Sequence, residues 1–99
     1  MRIEFHPEAL AEYEFAVRYY EQHQAGLGSR FVVGVESALQ GILDAPMTWP
    51  VLDHEVRRRL TRVFPYAILY SVEPSYVLVL AVMHCHQLPG YWRSRISEP

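Results

Sequence analysis

The longest apolar run of this sequence covers residues 76–83, where all eight positions carry apolar or aromatic side chains. A strand with one face in water alternates apolar and polar residues. This run is instead apolar on both faces, so it predicts the central strand of a sheet. Residues 66–73 form a second strand-like segment, and Pro74 and Ser75 indicate a tight turn between the two. The sheet is therefore expected to be built around this pair.

The length and composition of the chain predict a single packed domain over residues 1–99. A chain of 99 residues has room for one hydrophobic core, and 51% hydrophobic with 20% charged residues is a globular composition. The N-terminus does not resemble a secretion signal, and no apolar run is long enough to cross a bilayer. A lone cysteine, Cys85, fits a reducing compartment, so we expect a cytoplasmic protein.

The first 23 residues predict a strand followed by a helix. Residues 2–6 alternate polar and apolar side chains, and Pro7 with Glu8 begins a helix that ends near His23. An apolar stripe at helical spacing predicts its buried side, namely Leu10, Tyr13, Val17 and Tyr20 with Ala9 and Ala16 beside them.

A second helix follows the Gly-rich break at residues 26–29. Phe31, Val35, Ala38 and Ile42 form its apolar stripe, and Pro46 ends it near Ala45. The short connection predicts an antiparallel helical hairpin. Residues 56–63 then read as a strand. The predicted fold class is α+β: an antiparallel sheet of about four strands, the helical hairpin on one face (β-α-α-β-β-β), and a short C-terminal turn or helix.

Charge is divided unevenly along the chain. Every basic residue is arginine, and residues 1–55 hold three arginines against nine carboxylates, whereas residues 56–99 hold six against two. If the fold keeps these halves apart, the second half presents a basic surface suited to an acidic partner or to phosphates. A net charge of -2 is too acidic for bulk electrostatics alone to give tight nucleic-acid binding.

Several short motifs occur in an order that resembles a known family. They are residues 16–21 in the first helix, residues 26–28 with Phe31, residues 56–58, residues 64–66 with Tyr70, residues 81–84, and residues 89–92 with Arg95. Their order and spacing over nearly the whole chain resemble the RelE/ParE toxin superfamily, and most closely its ParE-like plasmid stabilisation branch. The resemblance implies a bacterial toxin that a cognate antitoxin neutralises.

Two activities are known in that superfamily. RelE-like members cut mRNA on the ribosome, which requires a base, an acid and cations around the phosphorane. For such a reaction, the resemblance implies that Arg57 and Arg59 would supply the cations. His84 or His86 would transfer protons, and Tyr91 would supply an aromatic hydroxyl. The loop after the last strand is usually rich in arginine, however, and this chain has Cys85, His86, Gln87 and Leu88 in it. ParE-like members poison DNA gyrase by binding it and need no hydrolytic centre.

The candidate binding residues are the arginines and aromatic residues of the second half. Those expected to contact the antitoxin or target are Arg57, Arg58, Arg59, Arg62, Tyr66, Tyr70, Tyr91, Trp92, Arg93 and Arg95. The face of the sheet that carries Tyr66 and Tyr70, or the opposite face, is the expected contact surface. Neither a metal nor a cofactor is expected, because in a strand His84 and His86 point away from Cys85 and no fourth ligand stands at a recognisable spacing.

The sequence therefore predicts a type II toxin that acts by protein binding, with DNA gyrase as its target and a cognate antitoxin as its partner. A homodimer is an alternative when the antitoxin is absent. Two further functions stay open. One is a ribosome-dependent mRNA endonuclease, and the other is a degenerate member of the family that binds its partner without toxicity.

Overall fold

The structure is a computed structural model, which describes residues 1–96. Its elements follow one another as strand, helical hairpin and strands, with a short 3₁₀ helix near the end. They are β1 (Arg2–Phe5), α1 (Pro7–His23), α2 (Leu27–Asp44), β2 (Val51–Asp53), β3 (Val56–Leu60), β4 (Tyr66–Val72), β5 (Tyr76–His84) and the 3₁₀ helix Arg93–Arg95. The predicted fold class is confirmed.

The sheet has five strands in the order β1-β5-β4-β3-β2, so the apolar run does form a central strand. Two details differ from the prediction. The strand β1 runs parallel to β5, which the long helical connection between the strands permits. The additional strand β2 has only three residues, and it pairs with β3 through a two-residue turn at His54 and Glu55. The sheet is therefore mixed, with an antiparallel majority.

Both predicted helices begin and end where local signals place them. In α1, Pro7 occupies the first turn, and the His6 ring nitrogen accepts a hydrogen bond from the backbone of Glu8. In α2, the predicted stripe of Phe31, Val35, Ala38 and Ile42 is buried. The stripe of α1 is rotated slightly from the prediction, because Ala9 and Ala16 are buried whereas Leu10 is exposed.

The two helices cover one face of the sheet. Phe31, Val35 and Ile42 pack there against Ile68 and Tyr70. This face carries Tyr66 and Tyr70, and it was one of the two faces predicted to contact a partner. Tyr70 is fully buried, and its hydroxyl donates a hydrogen bond of 2.7 Å to the carbonyl oxygen of Pro46. Tyr70 is therefore part of the core and offers a partner no surface.

The opposite face is covered in part by the C-terminal segment. A bulge in β5 breaks the register, since Leu69 pairs with Ala81 while Tyr70 pairs with Val79. Leu80 is the extra residue, and it packs with Ala81 on this second face. Trp92 is buried against the same cluster and covers part of this sheet face with its large apolar ring. It is therefore a core residue and offers a partner almost no surface.

Candidate functional site

The three consecutive arginines of β3 point to alternate faces of the sheet. Arg57 donates hydrogen bonds to the carbonyl oxygens of Met47 (3.0 Å) and Trp49 (2.7 Å) in the loop after α2. The Arg59 guanidinium lies 4.0 Å from the centre of the Trp49 ring. Arg58 points to the other face and is exposed. Two of the three arginines therefore stabilise a loop of the protein itself.

Arg95 is committed to an internal ion pair. Its guanidinium contacts both carboxylate oxygens of Glu12 on α1, at 2.8 and 3.0 Å, and it donates a further bond of 3.0 Å to the carbonyl of Leu80. Only 7% of the Arg95 side chain is exposed. Glu12 also accepts a bond from the backbone nitrogen of Val82 (3.0 Å). The pair thus satisfies backbone groups at the edge of β5, beyond the point where β1 ends.

Tyr91 belongs to the same network. Its hydroxyl donates a hydrogen bond of 2.6 Å to Glu12. Burial, together with this bond and the negative charge of Glu12, raises the pKa of Tyr91 well above the usual range of a phenol. Burial acts to lower the pKa of Arg95, but the bond to Glu12 outweighs it and the pKa is raised. Tyr91 therefore stays protonated and cannot act as a base near neutral pH.

The two histidines of the candidate nuclease set lie at the end of β5. The His84 and His86 rings are 5.1 Å apart, and His84 packs edge-on against Tyr66 at 5.2 Å. His84 and Tyr91 line one open groove of about 600 Å³. Neither Arg57 nor Arg59 lines that groove. The structure thus separates the predicted cations from the predicted proton-transfer groups.

Metal binding has no geometric support in the part of the chain that is described. Within residues 1–96, no group of three or more histidine, cysteine, aspartate or glutamate side chains is placed to hold a metal ion. Neither helix in that range is both long and apolar enough to cross a membrane.

The remaining predicted residues are spread over the surface. Arg93 pairs with Asp53 at 2.8 Å and so ties the C-terminal segment to β2. Although partial burial acts against it, the bond from Arg93 and the nearby His54 lower the pKa of Asp53. Tyr66 is half-buried among aromatic rings, and Arg62 is exposed. Of the predicted binding residues, Arg58, Arg62 and Arg93 are the exposed ones.

A cleft between α2 and the β3–β4 turn was not predicted from the sequence. We call it the arginine cleft, and it is lined by Arg30, Val33, Arg59, Leu60, Arg62 and Val63. Its volume is about 330 Å³. Arg59 and Arg62 of this cleft were among the predicted binding residues, and Val33 is an apolar residue of α2 outside the buried stripe. Its proximity to Leu60 and Val63 depends on how α2 packs on the sheet.

A second exposed group consists of two aromatic residues on α1. Phe15 and Tyr19 stand one turn apart, and both are exposed. Phe15 borders the groove of about 600 Å³, and both residues border a neighbouring depression beside Tyr20. Glu8, Glu12 and Arg95 line the first of these grooves, so its lining carries both signs of charge, whereas the arginine cleft has no acidic residue in its lining.

This arrangement defines a class of protein: a small α+β domain with a helical hairpin on a mixed sheet and exposed apolar and arginine-bearing surfaces. A family model described as ParE toxin of type II toxin-antitoxin system, parDE, matches residues 3–89. The chain therefore belongs to the ParE toxin family of type II toxin–antitoxin systems, and the resemblance noted in the sequence is confirmed.

Comparison with solved structures agrees with that assignment at the level of the fold. A structure of the chromosomal ParDE TA system from P. aeruginosa superposes with a TM-score of 0.74 and 12% sequence identity. The superposition covers 85% of this chain and 95% of the other. No curated protein sequence matches significantly.

Proposed function

We propose that this chain is the toxin of a bacterial type II plasmid-stabilisation module and that it acts in the cytoplasm by binding DNA gyrase. A cognate antitoxin neutralises it by direct binding. Family membership supports the module. The choice of protein binding over RNA cleavage rests on one observation, the internal commitment of the arginines that a nuclease would need.

That observation concerns the two arginines of the predicted nuclease set. Arg57 is bonded to loop carbonyls, and Arg59 stacks on a tryptophan ring. Cleavage through a 2′-hydroxyl needs preorganised cations at the scissile phosphate, and loss of one such group typically costs roughly 3–4 kcal/mol of transition-state stabilisation. Moving these arginines onto a phosphate would break contacts that hold the fold together. A toxin that works by binding has no such requirement.

Purified components test the proposed target. The protein should inhibit supercoiling of relaxed plasmid by purified gyrase, and it should leave mRNA on programmed ribosomes intact. Arg58→Glu, which changes an exposed arginine, is compared with Arg58→Ala to separate charge reversal from loss of the side chain. Cutting of ribosome-bound mRNA without any effect on gyrase would establish the endonuclease alternative and refute the gyrase proposal.

Growth experiments test the module. Expression of the chain alone should arrest bacterial growth, and co-expression of the product of the adjoining reading frame should restore it. Continued growth during expression of soluble, folded protein would instead identify a degenerate member that keeps the fold without the toxicity.

A further inference from the structure

Three large apolar side chains of the arginine cleft are exposed. Val33 is 69% exposed, Leu60 53% and Val63 87%, and all three line the same depression. Single exposed apolar residues are normal on a soluble protein, but a group around one concavity indicates a binding surface. Phe64 lies beneath it and connects the cleft to the aromatic core.

The backbone at Val63 is strained. Its φ of 75° lies in the left-handed region, where a β-branched side chain is a genuine outlier. The backbone nitrogen of Phe64 donates a 2.8 Å hydrogen bond to the carbonyl of Arg62, so Val63 is the central residue of a tight γ-turn. Such strain costs about 1–3 kcal/mol and occurs mainly at functional positions. Glycine would relieve it, yet the chain places an exposed valine there.

The charge around the cleft has one sign. Arg30, Arg59 and Arg62 line it, and no acidic residue does. None of these three arginines forms a salt bridge with a carboxylate of residues 1–96. The Nε atom of Arg59 is buried and has no acceptor within the same range. Since guanidinium groups bind carboxylates in a fixed two-pronged geometry, the rim is suited to a negatively charged segment.

We propose that the arginine cleft is the docking site for an acidic, apolar segment of the cognate antitoxin, an inference that rests on the proposed function. Apolar side chains of the segment fill the depression between Val33 and Val63, and its carboxylates pair with Arg30 and Arg62. A helix laid in a groove, or a disordered segment that folds on binding, meets both requirements.

The test measures calorimetric binding of the purified product of the adjoining reading frame to the full chain. The double variant Arg30→Glu with Arg62→Glu should bind roughly 100-fold more weakly, because it places like charges against the segment. Arg18→Glu reverses an exposed arginine on α1, outside the cleft, and should bind within about twofold of the unchanged chain. Circular dichroism confirms that each variant is folded.

Val63→Gly provides a second variant that does not depend on charge. It removes the exposed side chain and relieves the left-handed backbone, so the melting temperature should rise while binding weakens roughly 10-fold. A residue with only a structural role would not give these two changes in opposite directions. Leu88→Ser, at an exposed apolar residue of the C-terminal loop, is the matched control and should leave affinity unchanged.

The outcomes separate this inference from the proposed function. If the unchanged chain binds the product of the adjoining reading frame and the cleft variants bind it equally well, the cleft assignment is wrong. The proposal of a toxin–antitoxin module is then unaffected. If the unchanged chain neither binds that product nor arrests growth, both proposals fall. If the double variant loses gyrase inhibition or self-association but keeps its affinity for the antitoxin, the cleft belongs to the target or to a second copy, and the assignment is overturned.

Discussion

Within residues 1–96, three residues other than glycine adopt positive φ angles: His54 (48°), Glu55 (64°) and Val63 (75°). The first two form the whole loop between β2 and β3, and positive φ at both positions is the geometry of a type I′ turn. That turn usually carries Asn-Gly, because side chains with a Cβ are crowded there. The β2–β3 hairpin therefore forms despite its turn residues.

Replacement of Glu55 by glycine should stabilise the protein. Glycine adopts this φ without steric cost, so the free energy of unfolding should rise by about 1 kcal/mol. Urea denaturation followed by circular dichroism measures the change. Glu55→Ala removes the same carboxylate but leaves a Cβ in the left-handed conformation, so it should give no gain. An equal gain from alanine would show that the charge, and not the backbone, is responsible.

At the scale of secondary-structure elements, the start of α2 is stabilised by a side chain of α1. The residue before α2 is Gly26, which has no side chain to cap the helix. The Glu21 carboxylate instead accepts bonds from the backbone nitrogens of Gly26 (2.9 Å) and Gly28 (3.0 Å). A Cβ at Gly28 would lie 2.8 Å from the carbonyl oxygen of Val17. The close approach of the two helices thus requires glycine at position 28.

Loss of the Glu21 carboxylate should destabilise the hairpin. Glu21→Ala leaves the first backbone N–H groups of α2 without their acceptor, and loss of an N-terminal cap typically costs about 1 kcal/mol. Thermal unfolding measures the effect. Glu14→Ala removes an exposed carboxylate from the same helix and should change stability by less than about 0.5 kcal/mol. Equal effects of the two substitutions would rule out a capping role for Glu21.

At the scale of the whole molecule, Glu12 joins the two ends of the described chain. It binds Tyr91 and Arg95, which lie 79 and 83 residues further along the sequence. It also binds the backbone of Val82 in the central strand. One carboxylate on α1 therefore fixes the C-terminal segment across the end of the sheet.

Stability should fall as the pH rises above about 10. Burial and contact with carboxylates raise the folded-state pKa of Tyr13 and Tyr91, and burial raises that of Tyr20, Tyr66 and Tyr70. The unfolded chain releases tyrosine protons near pH 10 while the folded chain retains them, so the unfolded state gains relative stability as pH increases. Below that pH the contribution is fully present. Urea denaturation between pH 8 and 11 measures the slope.

The variant Tyr91→Phe tests one part of this slope. It removes a titrating hydroxyl, so stability should depend less steeply on pH above 10, while stability at pH 8 falls by about 1 kcal/mol through loss of the bond to Glu12. Phenolate absorbance provides an independent reading of the same titration. An unchanged slope would show that Tyr91 titrates normally in the folded protein.

Local sequence patterns predicted the elements because local forces decide them. Helical spacing placed the buried stripe around Phe31 and Ile42, Pro7 placed the start of α1, and the apolar run at residues 76–83 identified the central strand. The three-residue strand β2 was missed because its pairing depends on a turn with unfavourable residues. Strand alternation puts Arg58 on the face opposite to Arg57 and Arg59, but it gives no information about the partners of these arginines.

The candidate site depended far more on tertiary contacts. The sequence identified arginines and aromatic residues of the second half, yet charge and side-chain type alone do not distinguish a surface cation from one paired internally. Arg95 meets Glu12, and Tyr70 lies beneath the helices, only because the chain is folded. The arginine cleft likewise combines Arg30 of the acidic half with Arg62 of the basic half.

The sequence by itself determined the two helices, every strand except β2, the family and the central strand, because periodicity and breakers act over a few residues. Only the tertiary structure decided which arginines remain available to a partner and which apolar residues share a cleft. The physical reason is that burial and ion pairing depend on distances between residues far apart in the chain, and those distances are fixed by packing.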